Sequence, residues 1–427
     1  MPSSSQKFDV AVIGGGPAGS TVATLLSQSG LDVAVFEREC FPRFRVGESL
    51  LPANLPIFDR LGCHETLQQA GFMVKPGATF YDEYEGRGRR TITFSDIPLQ
   101  PAFAYNVVRA QFDTLLLQHA SRAGATVYPQ HVVEKTDVHP HHVTVHIRNP
   151  HGTQDSVQAK LVVDASGRAT FLGGRFGTRK PLPNLGKVAL FAHFKHTRRD
   201  PAIPAGNIRI YLVENGWLWW IPFADGTDSI GCVLHARAAK QREGSIDALF
   251  ETTLAATPSL AQGLQGAQRL TSVHSAANFS YRISPVAIDR MVAIGDAAGF
   301  VDPVFSTGVF IAMHSAELAA VAIQQAFQQQ DFSARRFRRY EIQLRRGLAP
   351  FLAFIQRFYE PAFLDLLFSP RPPWRLYQTV LWVLSGAVFD SQPLWLRTNL
   401  MLLFRSVAAR RALRWISGRP SKSRRSA

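Results

Sequence analysis

The stretch that most restricts what this chain can become is Phe8–Glu39, FDVAVIGGGPAGSTVATLLSQSGLDVAVFERE. Phe8–Ile13 is a short apolar run and predicts a strand. Gly14, Gly16 and Gly19 follow as GxGxxG, residues Ala18 to Gln28 predict a helix, and Gly30 ends it. Leu31–Phe36 predicts a second strand, closed by Glu37. Each glycine has its own task in such a unit. Gly14 permits the tight turn, Gly16 lets backbone N–H groups approach a pyrophosphate, and Gly19 allows close helix–strand packing. The helix N-terminus favours negative charge, and Glu37 can bind ribose hydroxyls. GxGxxG alone is weak, but strand, glycines, helix, strand and acid in this order and spacing predict a dinucleotide site.

The 427 residues, 46% of them hydrophobic, allow a large core and two or three subdomains. The opening MPSSSQKFD lacks an apolar signal segment, and Cys40, Cys63 and Cys232 form no CxxC pair and no zinc spacing. We therefore expect a cytoplasmic protein with reduced thiols and no metal.

Two further segments bear on which dinucleotide is bound. KLVVDASGR predicts a strand ending at Asp164 and Gly167, and RMVAIGDAAGFVDPVFSTGVFIAMHSAELAA predicts a strand, Gly295–Asp296 and a long helix. With the first segment these resemble FAD-dependent monooxygenase-like proteins with a glutathione-reductase-type FAD domain. The resemblance implies an α/β fold: that FAD-binding domain from residues 1–178 and 285–330, an inserted antiparallel β-sheet substrate subdomain at 179–284, and a helical C-terminal region at 331–427. It implies cofactor contacts at Gly14, Gly16, Ala18, Gly19, Glu37, Arg109, Asp296 and Ala298. No second GxGxxG occurs, so no built-in NAD(P)H domain is expected. No flavinylation motif is recognisable, so FAD is expected to bind non-covalently.

Three of the seven tryptophans fall in NGWLWWIPF, Asn215–Phe223. Asn215–Gly216 between two apolar runs is a strong hairpin signal, because both residues tolerate positive φ. With DSIGCVLHA after the turn at ADGTD, an antiparallel meander is expected. Alternation puts Trp217, Trp219 and Ile221 on one face, and Leu218, Trp220 and Pro222 on the other. Taken alone, the strand reads as core tryptophans in a sheet. Joined to the FAD segments, W-x-W-x-I-P resembles the motif of flavin-dependent halogenases, in which the two tryptophans keep substrate away from the flavin.

Two more segments extend the resemblance, which spans about Phe8 to Phe368. Gly47–Pro52 (GESLLP) is similar to the halogenase stretch after the second FAD strand and adds Glu48 and Ser49 to the cofactor contacts. Lys75, in AGFMVKPGATF, matches the catalytic lysine in the form seen in members acting on phenols and related rings. A lone Lys is usually solvent-exposed, but a partly buried amine has a depressed pKa and can serve as nucleophile or donor. Thr307 and Gly308, in FSTGVF before a helix, match the halide site, and a helix N-terminus suits an anion. Tryptophan halogenases carry a glutamate where this chain has Phe305, which points away from free tryptophan as substrate.

The resemblance implies reduced FAD from a separate flavin reductase, a flavin hydroperoxide, hypohalous acid passed to Lys75, and chloride or bromide installed on an electron-rich aromatic ring. Alternatives are an FAD-dependent aromatic hydroxylase, a geranylgeranyl-reductase-like lipid enzyme, and a flavin-binding sensor. Residues 331–427 hold eighteen Lys/Arg against five Asp/Glu, so +13 of the net +15 lies in the last quarter. This is either a solvated helix face or a docking surface, for an acidic acyl carrier protein presenting the aromatic substrate or for an anionic membrane surface rather than nucleic acid. The apolar runs there fall short of a bilayer span.

Overall fold

The computed structural model describes residues 6–387 apart from 97–100, 183–185, 241–243, 278–279, 301–302, 359 and 371–375; beyond 387 it describes only Thr398, Leu402, Arg405 and Ala408. Strand β1 (Lys7–Ile13) leads through helix α1 (Pro17–Gln28) to β2 (Val33–Glu37), and the two strands pair in parallel. On its other side β1 pairs in parallel with Gln154–Asp164, which pairs in parallel with Met291–Ala293. Thr126–Pro129 extends the sheet beyond β2. Strands covered on both faces need apolar residues throughout, and Val10, Ala11, Val12, Val33, Ala34 and Val35 are fully buried. Gly14, Glu37, Asp164 and Gly295 fall at or just past the carboxyl ends of these strands, where open parallel sheets bind ligands.

A small ribbon follows. β3 (Met73–Lys75) pairs antiparallel with β4 (Ala104–Asn106), and Ser49 bridges to Asn106 from the other edge. Helix α2 (Arg109–Arg122) begins soon after β4.

The second sheet is built on β5 (Lys187–Lys195), β6 (Ile208–Val213), β7 (Gly216–Pro222) and β8 (Thr227–His235). β6, β7 and β8 form the expected antiparallel meander, and β5 pairs antiparallel with β8. Two expectations are corrected here. The sheet is not confined to 179–284 or wholly antiparallel: Gly77–Asp82 joins β6 in parallel and Gly88–Thr93 extends it. A parallel partner arrives by a long crossover, so local sequence does not announce it. The hairpin turn also sits one residue earlier than Asn215–Gly216. Val213 pairs with Gly216, which leaves Glu214 and Asn215 in the turn, neither with positive φ. Gly216 is needed for close approach instead, since a Cβ there would lie 1.9 Å from the Val233 carbonyl oxygen.

Helix α3 (Thr307–Gln329) packs along α1. It is long and apolar enough to cross a membrane, and 67% of its most apolar window is buried inside the protein. Helix α4 (Arg338–Phe358) is followed by Pro361–Leu367 and Leu376–Leu384. Phe351, Phe354, Phe358 and Phe363 enter the same core as Trp217 and Trp219, so this part of the C-terminal region completes that core. The outer face of α4 exposes Arg338, Arg339 and Arg346. The basic tail with Arg410 and Arg411 lies outside the described residues.

Candidate active site

The cradle after β1 is shaped by backbone proximity. Gly14 has φ +102°, and a Cβ there would meet the Ala165 carbonyl oxygen at 2.6 Å; a Cβ at Gly19 would lie 1.8 Å from the Gly14 oxygen. A Cβ at Gly16 would meet nothing closer than the Arg43 guanidinium at 3.4 Å, so its backbone stays approachable. Glu37 is buried and accepts from the Gly15 N–H (2.7 Å) and the Glu39 N–H (2.9 Å), which fixes its carboxylate beside the glycines. Ala18 packs against Gly295, next to Asp296, and Ala298 is buried. Asp296 keeps partial solvent access; burial pushes its carboxyl up to about 6, against the pull of Arg109 and Arg168.

Arg109 is buried and fully engaged. Nε and Nη2 donate to the two carboxylate oxygens of Asp113 (2.7 and 2.9 Å), and Nη1 donates to the Val46 carbonyl (2.7 Å). Its visible task is to hold the segment before Glu48. Arg43 also donates to Asp113 (2.9 Å), joining the glycine cradle to the same carboxylate.

The segment Val46–Leu50 runs from that arginine to the lysine. The Val107 N–H donates to the Glu48 carbonyl (2.7 Å) and the Leu50 N–H to the Tyr105 carbonyl (2.9 Å). The Glu48 side chain, 1% exposed, accepts from His193 Nε2 at 2.6 Å, and its other oxygen has no protein partner. The Ser49 hydroxyl is likewise buried without one.

Lys75 ends β3 and is 2% exposed, more enclosed than its sequence suggests. Its Nζ donates to the Leu50 carbonyl (2.9 Å) and lies 5.5 Å from the centre of the Phe94 ring. Among the described residues no carboxylate pairs with it. Burial therefore acts unopposed and lowers the amine to about 7.

Trp217 and Trp219 are buried on one face of β7, ring centroids 5.8 Å apart, with Phe191 packed 5.8 Å from Trp219. Their core also holds Phe94, which covers the lysine, and Phe305, which meets Phe354 and Phe358 edge-on at 5.4 and 5.1 Å. The position occupied by a glutamate in tryptophan halogenases is thus part of an edge-to-face aromatic cluster. At the start of α3, Ser306 takes φ +58°, and the fully buried Thr307 hydroxyl has no hydrogen-bond partner. Gly308 follows, where a Cβ would lie 3.3 Å from the Phe300 ring.

These residues fit FAD. The open Gly16 backbone beside Arg43 suits a pyrophosphate. The unpartnered Glu48 oxygen, Ser49 hydroxyl and Thr307 hydroxyl are buried polar atoms of the kind a bound group satisfies. Sequence reasoning missed Arg43, Asp113, Asn106 and His193. Asp113 carried a signal, standing four residues after Arg109 on a helix; the others act across long separations.

The tryptophan halogenase family model matches residues 9–101 and 87–363. The chain is similar to a 1H-pyrrole-2-carbonyl-(peptidyl-carrier protein) chlorinase of Pseudomonas fluorescens, 33% identical over an alignment of 416 positions that covers 92% of each chain. It is similar to a 1H-pyrrole-2-carbonyl-(peptidyl-carrier protein) brominase of Pseudoalteromonas luteoviolacea, 35% identical over 334 residues, 77% of this chain and 80% of that one. Among solved structures, the myxobacterial chondrochloren halogenase superposes with a TM-score of 0.78 at 32% identity, covering 97% of this chain and 90% of the other.

Proposed function

The chain belongs to the tryptophan halogenase family and is a flavin-dependent halogenase, and from that premise we propose that it places chloride or bromide on an electron-rich aromatic acyl group held by a carrier protein, with Lys75 delivering the halogen. The observation that carries this reading is the enclosed, carboxylate-free Lys75 amine, joined through Val46–Leu50 to the flavin cradle and bordering the core that holds Trp217 and Trp219. Two relatives that act on carrier-bound pyrrolyl groups support the substrate class. Phe305, in place of a carboxylate, supports an aromatic group over a free amino acid.

Bound FAD, reduced by a separate flavin reductase, supplies with O2 the oxidation that turns halide into hypohalous acid. The Thr307 hydroxyl and the free N–H groups at the start of α3 hold the halide by hydrogen bonds and the helix field. Trp217 and Trp219 form an apolar wall that keeps the aromatic ring back while a small species passes. Lys75, with its pKa lowered to about 7, offers a neutral amine near physiological pH. Its lone pair attacks the halogen, an N–halogen bond forms as the O–halogen bond breaks, and water leaves. The ring then takes the halogen as the N–halogen bond breaks, and the proton the ring loses passes to the lysine nitrogen, which restores the amine. The Leu50 carbonyl keeps Nζ aimed throughout.

The experiment supplies purified protein with a flavin reductase, NADH, O2 and halide, and compares pyrrolyl or phenolic acyl groups on a carrier protein with the free acids. The expected product carries one or more halogens and forms faster on the carrier. A hydroxylated product would identify an aromatic hydroxylase instead.

A further inference from the structure

We infer that His193 is a positioning residue for Lys75: by gripping Glu48 it locks the ribbon that carries the lysine against the sheet that carries the tryptophans. The inference rests on the reading of Lys75 above, and it concerns what sets the place of that amine.

The protein hydrogen bond that aims Lys75 goes to the Leu50 carbonyl, so the amine stands where that carbonyl puts it. Leu50 belongs to a ribbon of three short pieces: β3, β4 and Ser49–Leu50. Lys75 lies opposite the small Ala104 on β4, and its side chain reaches over it to the far edge of the ribbon. The backbone bonds within the ribbon keep its pieces together, and β3 runs on through Pro76 into Gly77–Asp82, which pairs with β6 in the tryptophan sheet.

Side-chain ties fix the other two pieces of the ribbon to the same sheet. Asn106 on β4 donates to the Pro222 carbonyl at the end of β7 (3.1 Å) and to the Gly206 carbonyl (2.9 Å). Glu48 accepts from His193, which stands on β5 two residues from the Phe191 that packs on Trp219. Glu48 is buried with one oxygen satisfied by His193 and the other by no protein group. Removing the imidazole leaves a buried carboxylate without a protein partner, a strongly unfavourable state that expels it and carries the segment with it. Phe44, Phe223 and, through Phe44, His274 pack around the imidazole and restrict its ring. Burial would lower the His193 pKa, but the Glu48 bond raises it on balance, so the contact favours the charged imidazole. A catalytic amine displaced by about 1 Å loses up to about 100-fold in rate. The loss here falls on capture of the halogen, a step that follows oxidation of the halide.

The test compares wild type, His193→Phe, His193→Gln and Lys75→Ala as FAD-loaded enzymes. It measures halogenated product and trapped free hypohalite per reduced flavin consumed. His193→Phe is expected to lower the ratio of product to released hypohalite by roughly 10-fold to 100-fold. His193→Gln, which keeps a donor for Glu48, should recover most of that loss. Because His193→Phe strands a buried charge, the double variant Glu48→Gln with His193→Phe is measured beside it, with FAD content and Tm as checks on folding. It has no charge to expel and should show the same direction of change. An unaltered ratio in both His193→Phe backgrounds, with Lys75→Ala losing product, overturns the positioning role alone. Product retained by Lys75→Ala overturns the role of the lysine itself.

Discussion

The two faces of β7 bury tryptophan almost equally and use it differently. On one face Trp220 is 1% exposed; its Nε1 donates to Asp228 (2.8 Å) and its ring supports the Arg209 guanidinium at 4.7 Å. Asp228 in turn accepts from Thr197 and Arg199, and Phe250, Leu254 and Leu260 join the same core. On the other face Trp219 is 5% exposed and its Nε1 reaches only a serine hydroxyl, Ser229, at 3.2 Å. Trp217 and Trp219 border the core that also covers Lys75 and holds Phe305. Burial alone therefore does not separate Trp220 from the pair proposed to keep the aromatic ring back. The neighbours do: a charged network and packed helices behind Trp220, the rings of Trp217 and Phe191 beside Trp219.

The largest effect expected from breaking this contrast is Trp220→Ala, which should lower stability by about 3–5 kcal/mol. Denaturant titration checks this, and product per folded, FAD-loaded molecule should stay near wild type. A smaller and more discriminating effect comes from two glycines. A Cβ at Gly263 would lie 2.5 Å from the Trp220 ring, and one at Gly231 would lie 2.3 Å from the Trp219 ring. Both alanine variants should lose about 1–3 kcal/mol by overpacking. Only Gly231→Ala should shift the balance between halogenated product and released hypohalite. Equal behaviour of the pair would remove the functional difference between the faces.

The remaining expected effect is a pH dependence. Folding lowers Lys75 to about 7, while an unfolded lysine holds its proton to about 10.4. Between those values the unfolded chain binds more protons, so stability rises with pH across that window, and Lys75→Met should flatten the rise. Product formation, which uses the neutral amine, should climb through about pH 7 and then level.

Much of this was legible because it is local. The order β1–α1–β2 and the split of Trp217 and Trp219 from Leu218 and Trp220 follow from periodicities within a few residues. Contacts across long separations were not legible. Gly77–Asp82 pairs with β6 in parallel across more than a hundred residues, and His193 meets Glu48 across 145. The hairpin is legible but its register is not, because Asn-Gly signals a turn while the missing side chain of Gly216 serves close approach to Val233. The depth of Lys75 was underestimated for a similar reason. Phe94 and the Leu50 carbonyl, which enclose it, come from either side in sequence.

The most direct test of the account is a single turnover of Lys75→Ala, followed for both reduced flavin and aromatic product. In the proposed mechanism Lys75 acts after the flavin step, so the variant should bind FAD and oxidise halide as the wild type does, release the hypohalite to a trap, and give no halogenated ring. Halogenated product at the wild-type yield would contradict the assignment of Lys75.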